Sequence, residues 1–130
     1  MKEGELKLTV DQYLRFGENM GKWMYLRLNA GDFIEVRGKT RRRIKGCPEG
    51  TADFVVIRKD TIQAYPTHMC VEAPQVIFLE LKSAKGRTSP AQGAFAILVE
   101  NQGASYHIIR SIEGLMDLLE VKDEKANLFS

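Results

Sequence analysis

Residues 78–92 read FLELKSAKGRTSPAQ, from Phe78 to Gln92. This is a buried strand, a short glycine-bearing loop and the first turn of a helix. Side chains alternate faces along a strand, so Glu80 and Lys82 project to one side and Leu79 and Leu81 to the other. A carboxylate and an ammonium inside an apolar strand are costly unless paired or bound to a metal. The plain alternative is an edge strand whose polar face meets water, with Glu80 and Lys82 as a weak ion pair. After the strand, Ser89-Pro90-Ala91-Gln92 opens a helix: Ser89 as N-cap, Pro90 at the first position and Gln92 completing a capping box. That helix runs to about Asn101 and is stopped by Gly103. The third strand is read as 75–82, and a fourth follows over 104–109, with Arg110 at its end. Ser111 then caps a last helix, 112–121, with a polar tail that frays.

Upstream, Thr9 or Asp11 caps a first helix over about 10–30. Val10, Leu14, Gly17, Gly21, Met24 and Leu28 form its stripe. Gly17 and Gly21 cost helix stability and let another element approach closely. Residues 33–36 read as a short strand and 37–49 as a loop broken by Gly38, Gly46 and Pro48. The β-branched run 51–57 is a buried strand with Asp53 at its mouth. Residues 58–75 are irregular or form a hairpin, since Pro66 and Pro74 limit a central strand there. The expected fold class is α/β: a small mixed β-sheet flanked by helices, in the order α-β-β-β-α-β-α.

The chain of 130 residues is expected to form one domain, 1–130. A charged content of 28% beside 44% hydrophobic residues argues against disorder. No apolar run reaches membrane-spanning length, and the N-terminus lacks the apolar segment of a secretory signal. Two cysteines, Cys47 and Cys70, make no disulfide framework, so a cytoplasmic location is the expectation. Charge is unevenly spread. Arg37, Lys39, Arg41, Arg42, Arg43 and Lys45 follow one another without an acidic residue, which is either a solvated loop or a phosphate contact. Lys85 and Arg87 pose the same choice.

Asp53 and Glu80 converge at one end of the sheet if their strands pair. Two such carboxylates repel and invite a divalent cation, and hard oxygen ligands suit Mg²⁺ or Mn²⁺. A lysine beside them can orient an attacking water or neutralise charge on a phosphoryl oxygen. This is the chemistry of phosphodiester hydrolysis.

Three stretches together carry a family resemblance: GTADFVVI, FLELKSAKGRTSPAQ and GASYHIIRSIE. They resemble the VRR-NUC (virus-type replication–repair nuclease) domain of the PD-(D/E)XK nuclease superfamily, over about Glu18 to Leu119. The resemblance implies a restriction-endonuclease-like core and metal-dependent cleavage of DNA, often branched. It also implies similarity to Holliday junction resolvases, commonly phage-encoded homodimers. By this resemblance Asp53, Glu80 and the backbone carbonyl of Leu81 hold the metal, Lys82 is the catalytic lysine, and Gln92 is the glutamine after the strand. Glu18 is the match for a glutamate on the first helix. Arg41, Arg42, Arg43 and Lys45, with Lys85 and Arg87, are the candidate DNA contacts. Ala52 stands where the superfamily name has proline. The rival readings are a catalytically silent DNA-binding module of the same fold and an RNA-directed endonuclease.

Overall fold

Apolar side chains at Leu6, Val10 and Leu14 recur every four residues and put one face of a helix in the core. In the computed structural model, which describes residues 2–64 and 69–128, this helix α1 spans Glu3–Asn19. It therefore starts and ends earlier than the expected 10–30. Gly21 adopts φ 77° and reverses the chain, and Met24–Arg27 becomes the edge strand β1. The stripe through Met24 and Leu28 looks helical in sequence, but pairing with a distant strand claims it. Gly17 does admit a close neighbour: a Cβ there would sit 2.0 Å from the Trp23 ring. Trp23 is buried, and its indole N–H donates to the Leu14 carbonyl (2.8 Å).

The basic segment is not a loop. Asp32–Arg37 (β2) and Thr40–Lys45 (β3) pair antiparallel as a separate two-stranded ribbon, turning at Gly38 (φ 58°) and Lys39. The strand read as 51–57 begins later and runs much further, as β4 (Phe54–Ala64). Its partner β5 (Met69–Leu81) starts before the expected 75. Of the two readings of 58–75, irregular or hairpin, the hairpin is the one found; residues 65–68 lie outside the described residues. Helix α2 (Pro90–Asn101), strand β6 (Ser105–Ile109) and helix α3 (Ile112–Leu128) follow. Helix continues through the tail that was expected to fray.

Among the described residues the result is mixed α/β: three helices, a four-stranded sheet in the order β1-β4-β5-β6 and the ribbon β2-β3. Among the described residues the element order is α-β-β-β-β-β-α-β-α, two strands more than expected. Strands β1, β4 and β5 run antiparallel, and β6 lies parallel to β5 through the crossover helix α2. One sheet face carries Phe54, Val56, Ile77, Leu79, Leu81 and Ile109 against α1 and α3, which add Leu115 and Leu119. The other face carries Phe78 and Tyr106 under Phe95 of α2, with ring centroids 5.3 Å (Phe78) and 6.1 Å (Tyr106) from that of Phe95. The β4–β5 ladder outruns the sheet. β1 covers β4 only from 54 to 57 and β6 covers β5 only from 77 to 81, while β4 and β5 stay paired out to Ala64 and Met69. No helix among the described residues is long and apolar enough to cross a membrane.

Candidate active site

Strand pairing decides where the charged groups meet. Phe54 pairs with Leu79, so Asp53, one residue before β4, lies beside the last residues of β5. The Leu81 N–H donates to Asp53 Oδ2 (2.7 Å), and the Asp53 N–H donates to the Leu79 carbonyl (3.0 Å). In extended backbone a residue's N–H and C=O face the same side. The Leu81 carbonyl is therefore sided with Asp53. Glu80 points to the α2 face, where Gln92 Nε2 donates to its Oε1 (2.8 Å).

Gln92 forms the capping box expected of it and, in addition, the bond to Glu80. Its side-chain oxygen accepts from the Ser89 N–H (3.0 Å) while its backbone N–H donates to Ser89 Oγ (3.2 Å), the reciprocal capping box. One amide thus starts α2 and fixes the Glu80 rotamer. A hydrogen bond to a charged group of this kind contributes about 1.5–3 kcal/mol. Lys82 Nζ stands 3.9 Å from Glu80 Oε1, at the limit of an ion pair.

Glu80 is only 4% exposed, and its second oxygen, Oε2, is buried with no hydrogen-bond partner. Burial, and next the negative charge of Asp53, push its carboxyl up to about 7; Lys82 and Lys7 oppose the shift. The neighbouring Tyr106 hydroxyl is also buried without a partner, and burial followed by the fields of Glu80 and Asp53 raises it to about 12. Burial lowers His107, with Glu100 acting against it.

The remaining sequence candidates fall in different places. Glu18 is not part of this cluster. It sits near the C-terminal end of α1, where its Oε2 accepts from the Tyr25 N–H (3.0 Å) and holds the turn into β1. The opposite end of α1 reaches the site instead: Lys7 Nζ is 3.4 Å from Asp53 Oδ1, and Glu3 adds to the negative field at Glu80. A helix started at residue 10 could not place either residue; the signal that could have found them is Leu6, in phase with Val10 and Leu14. Arg110 does more than end a strand. Its Nη1 donates to the carbonyls of Ser83 (2.6 Å) and Gly86 (2.8 Å), and so holds the loop that presents the exposed Lys85 and Arg87. Arg41, Arg42, Arg43 and Lys45 lie on β3, exposed.

Among the described residues no group of three or more His, Cys, Asp or Glu side chains is gathered as a metal site. The donors at hand are two carboxylates and a backbone carbonyl. An orphaned, buried carboxylate oxygen beside a second carboxylate fits a hard divalent cation that keeps several waters, as Mg²⁺ and Mn²⁺ do. Comparison with protein-family models, with curated proteins and with solved structures found no match to this chain.

Proposed function

We propose that the chain is a divalent-metal-dependent endonuclease hydrolysing DNA phosphodiester bonds, with a restriction-endonuclease-like core of the VRR-NUC kind and a preference for branched DNA. The observation that carries the reading is Glu80: a buried carboxylate with one oxygen held by Gln92, the other unpartnered, and Asp53 and Lys82 beside it. Structural ion pairs do not leave a buried carboxylate oxygen idle. Perturbed carboxylates beside a lysine are what a phosphoryl-transfer site requires.

In this reading Asp53, Glu80 and the Leu81 carbonyl would hold Mg²⁺ or Mn²⁺. When bound, the ion supplies positive charge against the scissile phosphate and acidifies water. The chain's own groups do the rest. Gln92 keeps Glu80 in one rotamer. Lys82, only 14% exposed, presents an ammonium that orients the attacking water or offsets charge on a non-bridging oxygen. Lys7, next to Asp53, offers a second cation to the same phosphate. Arg110 stiffens the loop from which Lys85 and Arg87 reach the flanking backbone.

The test is a cleavage assay on duplex, flap, four-way-junction and RNA substrates, with Mg²⁺ and with EDTA. We expect Mg²⁺-dependent cuts in DNA, strongest on branched forms, and none with Asp53→Asn or Glu80→Gln. Binding without cleavage by the wild-type protein would leave a silent DNA-binding module. Preferential cutting of RNA would replace the substrate.

A further inference from the structure

The ribbon β2–β3 leaves the body of the molecule beside Asp53 and returns there. The Leu28 N–H donates to the Asp53 carbonyl (2.8 Å), the Cys47 N–H to the Asn29 carbonyl (2.7 Å) and the Gly31 N–H to the Cys47 carbonyl (2.9 Å). Between these ties, β2 and β3 pack against each other and against no other helix or strand among the described residues. A lone two-stranded hairpin is marginal in water, so such an arm is expected to meet a partner.

Its charge says what kind. Glu35 pairs with Arg37, and Asp32 with Arg43. Lys39, Arg41, Arg42 and Lys45 form no ion pair among the described residues, although Arg42 and Lys45 stand across the ladder from Glu35 and Asp32, so the ribbon keeps a surplus of positive charge. The partner is a polyanion.

Its rungs say which surface of that polyanion. Residues opposite one another in an antiparallel pair share a face. Ile34 stands opposite Arg43, and Val36 opposite Arg41. Ile34 and Val36 are 70% and 62% exposed. A surface made only to grip phosphates has no use for branched apolar side chains next to its arginines. The major groove of B-form DNA has: it is about 12 Å wide, admits a two-stranded ribbon, and offers thymine methyls to apolar side chains and guanine O6 and N7 to arginine. The A-form groove of duplex RNA is too deep and narrow to be read this way.

We propose that β2–β3 is an arm that enters the major groove of a B-form DNA duplex beside the cleavage site. Ile34, Val36 and Arg41 meet base edges, while Lys39 at the turn and Arg42 on the opposite face reach phosphates. The proposal rests on the nucleic-acid reading above and adds that the substrate carries a B-form arm.

Anisotropy titrations of the full chain in EDTA test it. The probes are a short labelled DNA duplex, the RNA duplex of the same sequence, and a DNA duplex whose major groove is filled by glucosylated 5-hydroxymethylcytosine. The wild type should bind the plain DNA duplex at least about tenfold more tightly than either other probe. Ile34→Ser with Val36→Ser should erase that preference and leave the salt dependence unchanged. Lys39→Gln with Arg42→Gln should flatten the slope of log affinity against log salt, by up to roughly 0.9 for each phosphate no longer neutralised. Circular-dichroism melts check that each variant folds; if the apolar pair does not, the wild-type comparison of plain and filled grooves decides alone. Equal wild-type affinity for all three probes, or no affinity for any, overturns the arm. Cleavage is scored separately. Mg²⁺-dependent cutting with no groove preference removes the arm and keeps the nuclease, and groove preference without cutting does the reverse.

Discussion

Glu80 is a carboxylate placed where a carboxylate is costly. Its pKa in the folded chain, about 7, lies above the ordinary 4.5. Between those values the folded state holds more protons than the unfolded one, so stability falls as pH rises through that window. The whole penalty is present above about pH 7 and amounts to roughly 3 kcal/mol. The metal-free protein should therefore melt at a lower temperature at pH 8 than at pH 6, and Glu80→Gln should flatten that profile. Adding Mg²⁺ at pH 8 should restore the lost stability to the wild type and not to the variant. A Glu80→Gln profile identical to the wild type would remove Glu80 as the source. Lys82→Ala should keep the Mg²⁺-induced rise in melting temperature and lose cleavage by several orders of magnitude, since a lysine is not a ligand. Calorimetry that finds metal binding abolished in that variant would reassign its role.

Elements are positioned by a few close approaches, and these are open to test by adding one methyl. Gly50 has φ 90°, and a Cβ there would lie 2.5 Å from the Ala91 carbonyl carbon, in the first turn of α2. Gly50→Ala should push that turn away and take Gln92 off Glu80, so cleavage should fall further than stability alone predicts; a denaturation curve beside a rate measures both. Gly17→Ala should instead cost about 1–3 kcal/mol or more through the Trp23 ring and leave the site chemistry unchanged in the folded fraction. The same elements show what a sequence can disclose. The capping box at Ser89 and Gln92 and the apolar strand around Glu80 are local patterns, and both were legible. The ribbon was not: Thr40–Lys45 is six residues with one apolar side chain, and its strand state comes from pairing across the turn at Gly38 and Lys39. The edge strand β1 was hidden for the same reason, because only its distant partner β4 distinguishes it from another helical turn. The convergence of Asp53 with Glu80 could be anticipated since it needs only that their two strands pair. The reach of Lys7 and Glu3 to that point could not, because it depends on where α1 begins.

At the scale of the molecule, apolar surface is left over. Trp23, which lies off the helical stripe, is buried inside this chain, whereas Phe16 is exposed on α1 together with Leu8, Met20 is exposed just past its end, and α2 exposes Ile97 (62%) and Leu98 (65%). A two-fold dimer would set two sites at matching positions on a two-fold-symmetric junction. We expect a homodimer joined through α1 or the β4–β5 extension, with twice the 14.7 kDa chain mass by light scattering. Phe16→Glu should halve that mass if α1 is the seam. A wild-type mass that stays at one chain when junction DNA is added would exclude paired cuts. The β4–β5 extension carries a different obligation. Past the ends of β1 and β6, two long strands run side by side with their outer flanks uncovered among the described residues, and such flanks recruit further strands. Pro74 interrupts that flank, since it has no N–H to offer, and Lys59 and Glu72 place a 3.6 Å ion pair next to it. Pro74→Val would supply the missing donor and add a β-branched side chain two residues before an apolar run. The variant should fold, melt near the wild-type temperature and cleave DNA when fresh, yet turn cloudy on standing at high concentration: one imino acid far from the chemistry sets how long a solution of this protein stays clear.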